Sequence, residues 1–185
     1  MHTVTATLKS ISPYSQSKHI TAPKLERETG ADYEKRLWRE RLHVDDDGFV
    51  FIPPMAFKNN LAEAAKFLGQ QIPGKGKSTY TKHFEAGVLV TDGPRLRVKK
   101  SDVQGEWLFL PSDGMRGSGK RVDKCYPVIP SWQVEVVYYV LDDAITQDVF
   151  RYHLEQAGKF IGIGRFRPRN NGYYGRFEVV RLEWV

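Results

Sequence analysis

The sequence predicts an α+β domain built in the order βαββαβ. Three observations carry that prediction: two segments with apolar residues at helical spacing, strand-like apolar segments flanking each of them, and clusters of turn residues between. With 185 residues, 41% of them apolar and 12% aromatic, the chain can fill one core and is short for two.

Val4, Ala6 and Leu8, with Ile11 one step out of phase, mark a first strand over residues 3–11. A polar stretch leads to residues 31–42, a short charged helix with Tyr33, Leu37, Trp38 and Leu42 toward one side. Its Arg36, Arg39 and Arg41 alternate with Glu34 and Glu40, the pattern of a solvated face. Asp45, Asp46, Asp47 and Gly48 form a turn into an apolar strand over 49–52. Pro53 and Pro54 then open a helix that Gly69 closes. Phe57, Leu61, Ala64, Ala65 and Leu68 line its apolar face, and Lys58, Asn59, Asn60, Glu63 and Lys66 its polar one.

A basic loop over 70–79 leads to a strand expected around 84–90. Residues 91–130 are a long excursion, with short strands at 95–98 and 106–110 and a Gly/Ser/Lys/Arg-rich stretch at 114–121, ending at Pro127 and Pro130. Residues 132–141 read as a buried strand. Asp142 and Asp143 break it, and Thr146 caps a helix running to Ala157 and stopped by Gly158. A last strand covers 177–184. Residues 1–185 are thus expected to form one ferredoxin-like, RRM-like domain, with two helices on one face of a four-stranded antiparallel sheet. An insertion at 13–52 follows the first strand, and the excursion at 91–130 precedes the third.

The formal charge of +6 and pI near 9.4 favour a polyanionic partner. A single cysteine, Cys125, excludes an intrachain disulfide and a cysteine-cluster metal site. No stretch reaches the ~20 apolar residues that span a bilayer, and the first ten residues alternate like a strand instead of resembling a signal peptide. A cytoplasmic protein without membrane contact is expected. No cofactor is expected either. Gly76, Lys77 and Ser78 would end a phosphate loop, but that motif needs glycine where Gln71 stands, and it follows a strand, not a helix. The histidines lack the i,i+4 spacing of a helical metal site. His19, beside Tyr14, Ser15 and Lys18, is the one candidate for acid–base catalysis.

The densest functional signal is residues 159–176. This segment holds Lys159, Arg165, Arg167, Arg169 and Arg176, four glycines, and Phe160, Phe166, Tyr173 and Tyr174, with no acidic residue. Arginines fork onto phosphate oxygens, and glycines let backbone N–H groups approach phosphates. Aromatic rings stack on unpaired bases for roughly 1–3 kcal/mol per base. Lys58 on the polar helix face, and Arg116, Lys120, Arg121 and Lys124 in the excursion, complete the candidate nucleic-acid-binding set. Single-stranded RNA, or single-stranded DNA, is the expected partner.

The segment Gln156-Ala-Gly-Lys-Phe-Ile-Gly-Ile-Gly-Arg-Phe-Arg-Pro-Arg-Asn-Asn-Gly-Tyr-Tyr-Gly-Arg-Phe177 resembles the terminal glycine-rich signature of the RAMP superfamily of CRISPR-associated proteins. It is closest to the backbone subunits that coat guide RNA. Asp143-Ala-Ile-Thr-Gln-Asp-Val-Phe150 and Ile52-Pro-Pro-Met-Ala-Phe-Lys-Asn-Asn-Leu61 extend the similarity to about a third of the chain. The resemblance implies an RRM-like fold, binding of the guide-RNA backbone, and assembly with further copies of itself or with other effector subunits. It also implies that residues 91–130 correspond to a protruding thumb, with Met115 and the basic side chains turned to RNA. Backbone subunits of that family are longer, which fits a short relative of phage or mobile-element origin. Two alternative functions accompany it: a metal-independent RAMP-type endoribonuclease, and a mimic that binds or inhibits a host effector complex.

Overall fold

The structure, a computed structural model, describes residues 1–115, 117 and 119–185. Its centre is an antiparallel sheet of β1 (His2–Ser10), β4 (Val88–Leu89), β8 (Gln133–Val140) and β9 (Phe177–Trp184), in the order β4-β8-β1-β9. Period two turns Val4, Ala6 and Leu8 to one face. The register sets them opposite Tyr138, Val136 and Val134, so apolar cross-strand pairs stand in a row. Helices α2 (Pro54–Leu68) and α4 (Gln147–Gln156) contribute Phe57, Leu61, Ala65, Phe150 and Leu154 to the same core. This is the expected ferredoxin-like arrangement. The capping signals act as the sequence implies: Pro54 begins α2, Gly69 ends it at φ 56°, and the Thr146 side chain accepts from Val149 N–H.

Several local expectations change. The strand expected at 84–90 is mostly helix α3 (Thr81–Gly87), which leaves β4 only two residues. Tyr80, Phe84, Gly87 and Val88 are all buried, and it is burial of both the third and the fourth residue after Phe84 that marks a helical face. Phe84 packs its ring 6.4 Å from Phe150 and 4.4 Å from His153. Gly158 does not stop the second helix. The chain widens into a π turn over Ala157–Ile161 and ends at Gly162. A side chain at Gly158 would strike the Phe177 carbonyl, so glycine here lets the turn pass against β9.

The insertion and the excursion fold together. Strand β2 (Tyr14–Ser15) pairs with β7 (Arg121–Ile129), which pairs with β6 (Gln104–Pro111); β3 (Phe49–Phe51) pairs with β5 (Arg95–Lys99). Strand β7 contains Pro127, opposite Gly105, where the sequence suggested the excursion was ending. The charged helix appears as α1 (Gly30–Leu37) and a 3-10 turn, Trp38–Arg41, and only part of its charge is solvated: Arg36 and Glu40 are exposed. Glu34 and Arg41 are buried and paired at 2.9 Å, and Glu34 also accepts from Cys125 N–H at 2.8 Å. Opposite charges at this spacing here pin α1 to β7.

Candidate nucleic-acid interface

The Gly/Arg/Tyr-rich segment leaves the π turn, folds back on itself and enters β9. Ile163 N–H donates to the Gly175 carbonyl (3.0 Å) and Tyr174 N–H to the Phe166 carbonyl (3.0 Å). Arg165 N–H donates to Ser15 (2.8 Å) and Gly175 N–H to Pro13 (2.7 Å), fastening the loop onto β2 and the residues before it. Side chains at Gly164 or Gly175 would collide with the carbonyls of Ser15 and Ile163, and both glycines sit at positive φ. These glycines and N–H groups serve the loop's own closure, a different use from the expected approach to phosphates.

Acid-free in sequence, the loop meets carboxylates in space. Arg165 Nη2 lies 3.1 Å from Glu106 on β6, its Nε donates to Ser15 Oγ (3.0 Å), and its guanidinium stacks 4.0 Å from the Tyr126 ring. Tyr174 donates its hydroxyl to the same Glu106 at 2.8 Å, and partial burial, then that bond, raise its pKa. With its side chain 15% exposed, Arg165 is an anchor between loop and hairpin. Arg167 and Arg169 converge on one residue of α2: Arg167 Nη1 is 2.7 Å and Arg169 Nε 3.2 Å from the two oxygens of Glu63. The partners Glu63 and Glu106 were not legible as such, because both lie far along the chain from the loop.

Around Glu63 the surface sinks into a depression lined by Lys58, Lys66, Arg167 and Arg169, with Glu63 and Glu85. Four cations against two carboxylates leave it positive. At its margin Arg169 lies 5.6 Å from the Phe67 ring, and Phe67 and Phe160, each 49% exposed, stand 5.8 Å apart. Phe166, at φ 54°, and Tyr173 also expose their rings. Phe67 is a contact the sequence reading missed, since it follows the apolar face of α2 in sequence and faces outward in space. Lys159 is exposed, and Arg176 donates to the Lys159 and Tyr173 carbonyls and pairs with no carboxylate among the described residues.

The excursion's basic residues divide. Lys120 and Arg121 are exposed where the β6–β7 hairpin turns, whereas Lys124 reaches back to Glu34 (3.4 Å). Arg116 lies outside the described residues. Met115, Trp107 and Phe109 are exposed on this hairpin. His19 is exposed and lines a depression with Lys18, Tyr33, Arg41 and Tyr126. Its expected neighbours Tyr14 and Ser15 are buried, and burial raises the Tyr14 pKa, which withdraws both from acid–base work beside His19. Among the described residues no three His, Cys, Asp or Glu side chains gather as a metal site, and no helix is long and apolar enough to cross a membrane.

No family model and no curated protein matches the sequence. Solved structures do match. A chain in the cryo-EM structure of the Type III-B Cmr-beta bound to cognate target RNA aligns at 11% identity and TM-score 0.54, covering 100% of this chain and 60% of that one. The crystal structure of Cmr6 from Pyrococcus furiosus aligns at 12% identity and TM-score 0.50, over 97% and 99% of the two chains. The chain shares its fold with both of these structures. It spans less than two thirds of the first neighbour and nearly the whole of the second. On this shared fold the glycine-rich loop lies between the last helix and the edge strand β9, the segment that carried the resemblance in sequence.

Proposed function

We propose that the chain is a non-catalytic, single-stranded RNA-binding subunit of a CRISPR effector assembly. It holds the phosphate backbone in the depression between the glycine-rich loop and α2. The observation that carries this reading is the convergence of Lys58, Lys66, Arg167 and Arg169 on one depression beside the exposed Phe67–Phe160 pair. Cations in a groove with flanking rings are the combination that tracks a flexible strand without reading its sequence. Lys159 and Arg176 extend the positive surface, and Lys120 and Arg121 add a second contact from the hairpin. Arg165 and Tyr174 hold the loop in place and touch RNA only secondarily. Further effector subunits, or further copies of this chain, continue the surface along the strand.

The reading is tested by fluorescence anisotropy with a labelled oligouridylate. Replacing Lys58, Arg167 and Arg169 by alanine weakens binding by about 100-fold at low salt, on the order of 1 kcal/mol per lost phosphate contact. Equal affinity in wild type and variant removes this surface from the function. In the same samples the RNA stays intact in EDTA. Cleavage that disappears in His19→Ala replaces this reading with a ribonuclease centred on His19, Lys18, Tyr33 and Tyr126.

A further inference from the structure

A second concave site lies on the sheet face opposite α2 and α4. Leu8 and Val134 point into the core, so their neighbours Lys9 and Gln133, partners across β1 and β8, point to the opposite side. There the end of the sheet meets β5 and the turn between β7 and β8, and together they enclose a cleft of about 450 Å³. That size falls in the range of small-molecule sites.

The walls differ in chemistry. Lys9 and Arg97 supply two cations, and neither makes a hydrogen bond or ion pair among the described residues. Glu178 stands opposite Lys9 on β9 but does not pair with it. Arg97 differs in this respect from Arg95, two residues away on the same strand, which is held by Asp45 and Asp47. The floor is apolar, from Leu96, Ile129 and Trp132. Gln133 and Ser131 at the rim can donate and accept. Trp132 is 6% exposed, and its indole N–H finds no acceptor among the described residues.

We propose that this cleft binds one nucleotide, with its phosphate between Lys9 and Arg97 and its base over the Leu96–Ile129–Trp132 floor against the Gln133 amide. Paired free cations call for an anion, an apolar floor calls for a flat ring, and a rim amide matches a base edge; a nucleotide joins all three. The site shares no lining residue with the depression under the glycine-rich loop, so it stands independently of the function proposed above.

The probes are uridine 5′-monophosphate, by equilibrium dialysis, and an eight-residue oligouridylate, by anisotropy, on the full chain. The mononucleotide binds with a dissociation constant of about 1 mM or tighter, and Lys9→Ala combined with Arg97→Ala weakens it at least about tenfold. Both side chains are exposed, so the variant keeps its fold, checked by its melting temperature. The part of mononucleotide binding that depends on Lys9 and Arg97 persists in the Arg167→Ala, Arg169→Ala background. If the cleft serves a nucleotide within a strand, the oligomer binds more tightly than the monomer and loses that advantage in the Lys9/Arg97 variant. If it serves a free nucleotide, the cleft adds nothing to the oligomer. No retained mononucleotide, or equal retention by the Lys9/Arg97 variant, overturns the proposal.

Discussion

At the scale of the residue, Glu63 and Glu106 decide what the basic loop can do. Glu63 places one carboxylate between Arg167 and Arg169, where a phosphate oxygen would be received by the same two forks. Under the proposed function it competes with RNA for both guanidiniums. Both pairs are part-exposed and together worth on the order of 1 kcal/mol, so Glu63→Gln tightens RNA binding roughly 3- to 10-fold in an anisotropy titration. Unchanged or weaker binding assigns Glu63 to loop architecture alone. Glu106 behaves differently, because it receives Arg165 and the Tyr174 hydroxyl at the junction of loop and hairpin. Glu106→Gln lowers stability by about 1–2 kcal/mol, read from the denaturant midpoint, and leaves the affinity of the folded protein for RNA close to wild type. A large loss of affinity at unchanged stability contradicts that assignment. The loop's cations and rings were legible in sequence because they are contiguous; their partners were not, since contact across 59 or more positions of chain leaves no local pattern.

At the scale of the element, periodicity was informative wherever a segment had one partner face. Helices α2 and α4 and strands β1, β8 and β9 follow their apolar spacing and capping residues closely. Helix α3 did not, because Tyr80, Phe84 and Val88 lie in a short stretch that either period fits until the partner is known. Strand β7 was hidden by Pro127, whose missing N–H argues against a strand although its register partner is glycine. The pair α3–α4 also carries a pH dependence. His153 is fully buried against Phe84 and Tyr80; one ring nitrogen, Nδ1, is 2.7 Å from the Val149 carbonyl, and Nε2 has no partner among the described residues. Burial holds its pKa below 6.5, so the folded state keeps it neutral. Its contribution to stability is complete above about pH 6.5 and is lost as the pH falls from there through the lowered folded value. Melting temperatures at pH 7 and pH 5 therefore separate, and His153→Leu narrows the gap. An identical gap in the variant places the acid sensitivity elsewhere, with His43, also lowered by burial, the next group to replace.

At the scale of the whole molecule, a ferredoxin-like core carries a second layer made from two stretches that sequence order keeps apart. Residues 13–52 and 91–130 each looked like a separate addition, yet β2 completes the β6–β7 hairpin and β3 completes β5. Pairing of this kind has no signature within either stretch, which is why the core was readable and its partner layer was not. The layer brings Glu106 and Tyr126 to the glycine-rich loop, so loop and hairpin form one continuous surface. The central claim is that this surface binds RNA through phosphates, and the dependence of affinity on salt tests it most directly. Four phosphate contacts from Lys58, Lys66, Arg167 and Arg169 alone contribute about −3 to the log–log slope, a loss of affinity of at least about 50-fold between 50 and 200 mM salt. Replacing Lys58, Arg167 and Arg169 by alanine makes the slope shallower by about 2. A wild-type slope near zero, or the same steep slope in both proteins, contradicts the account.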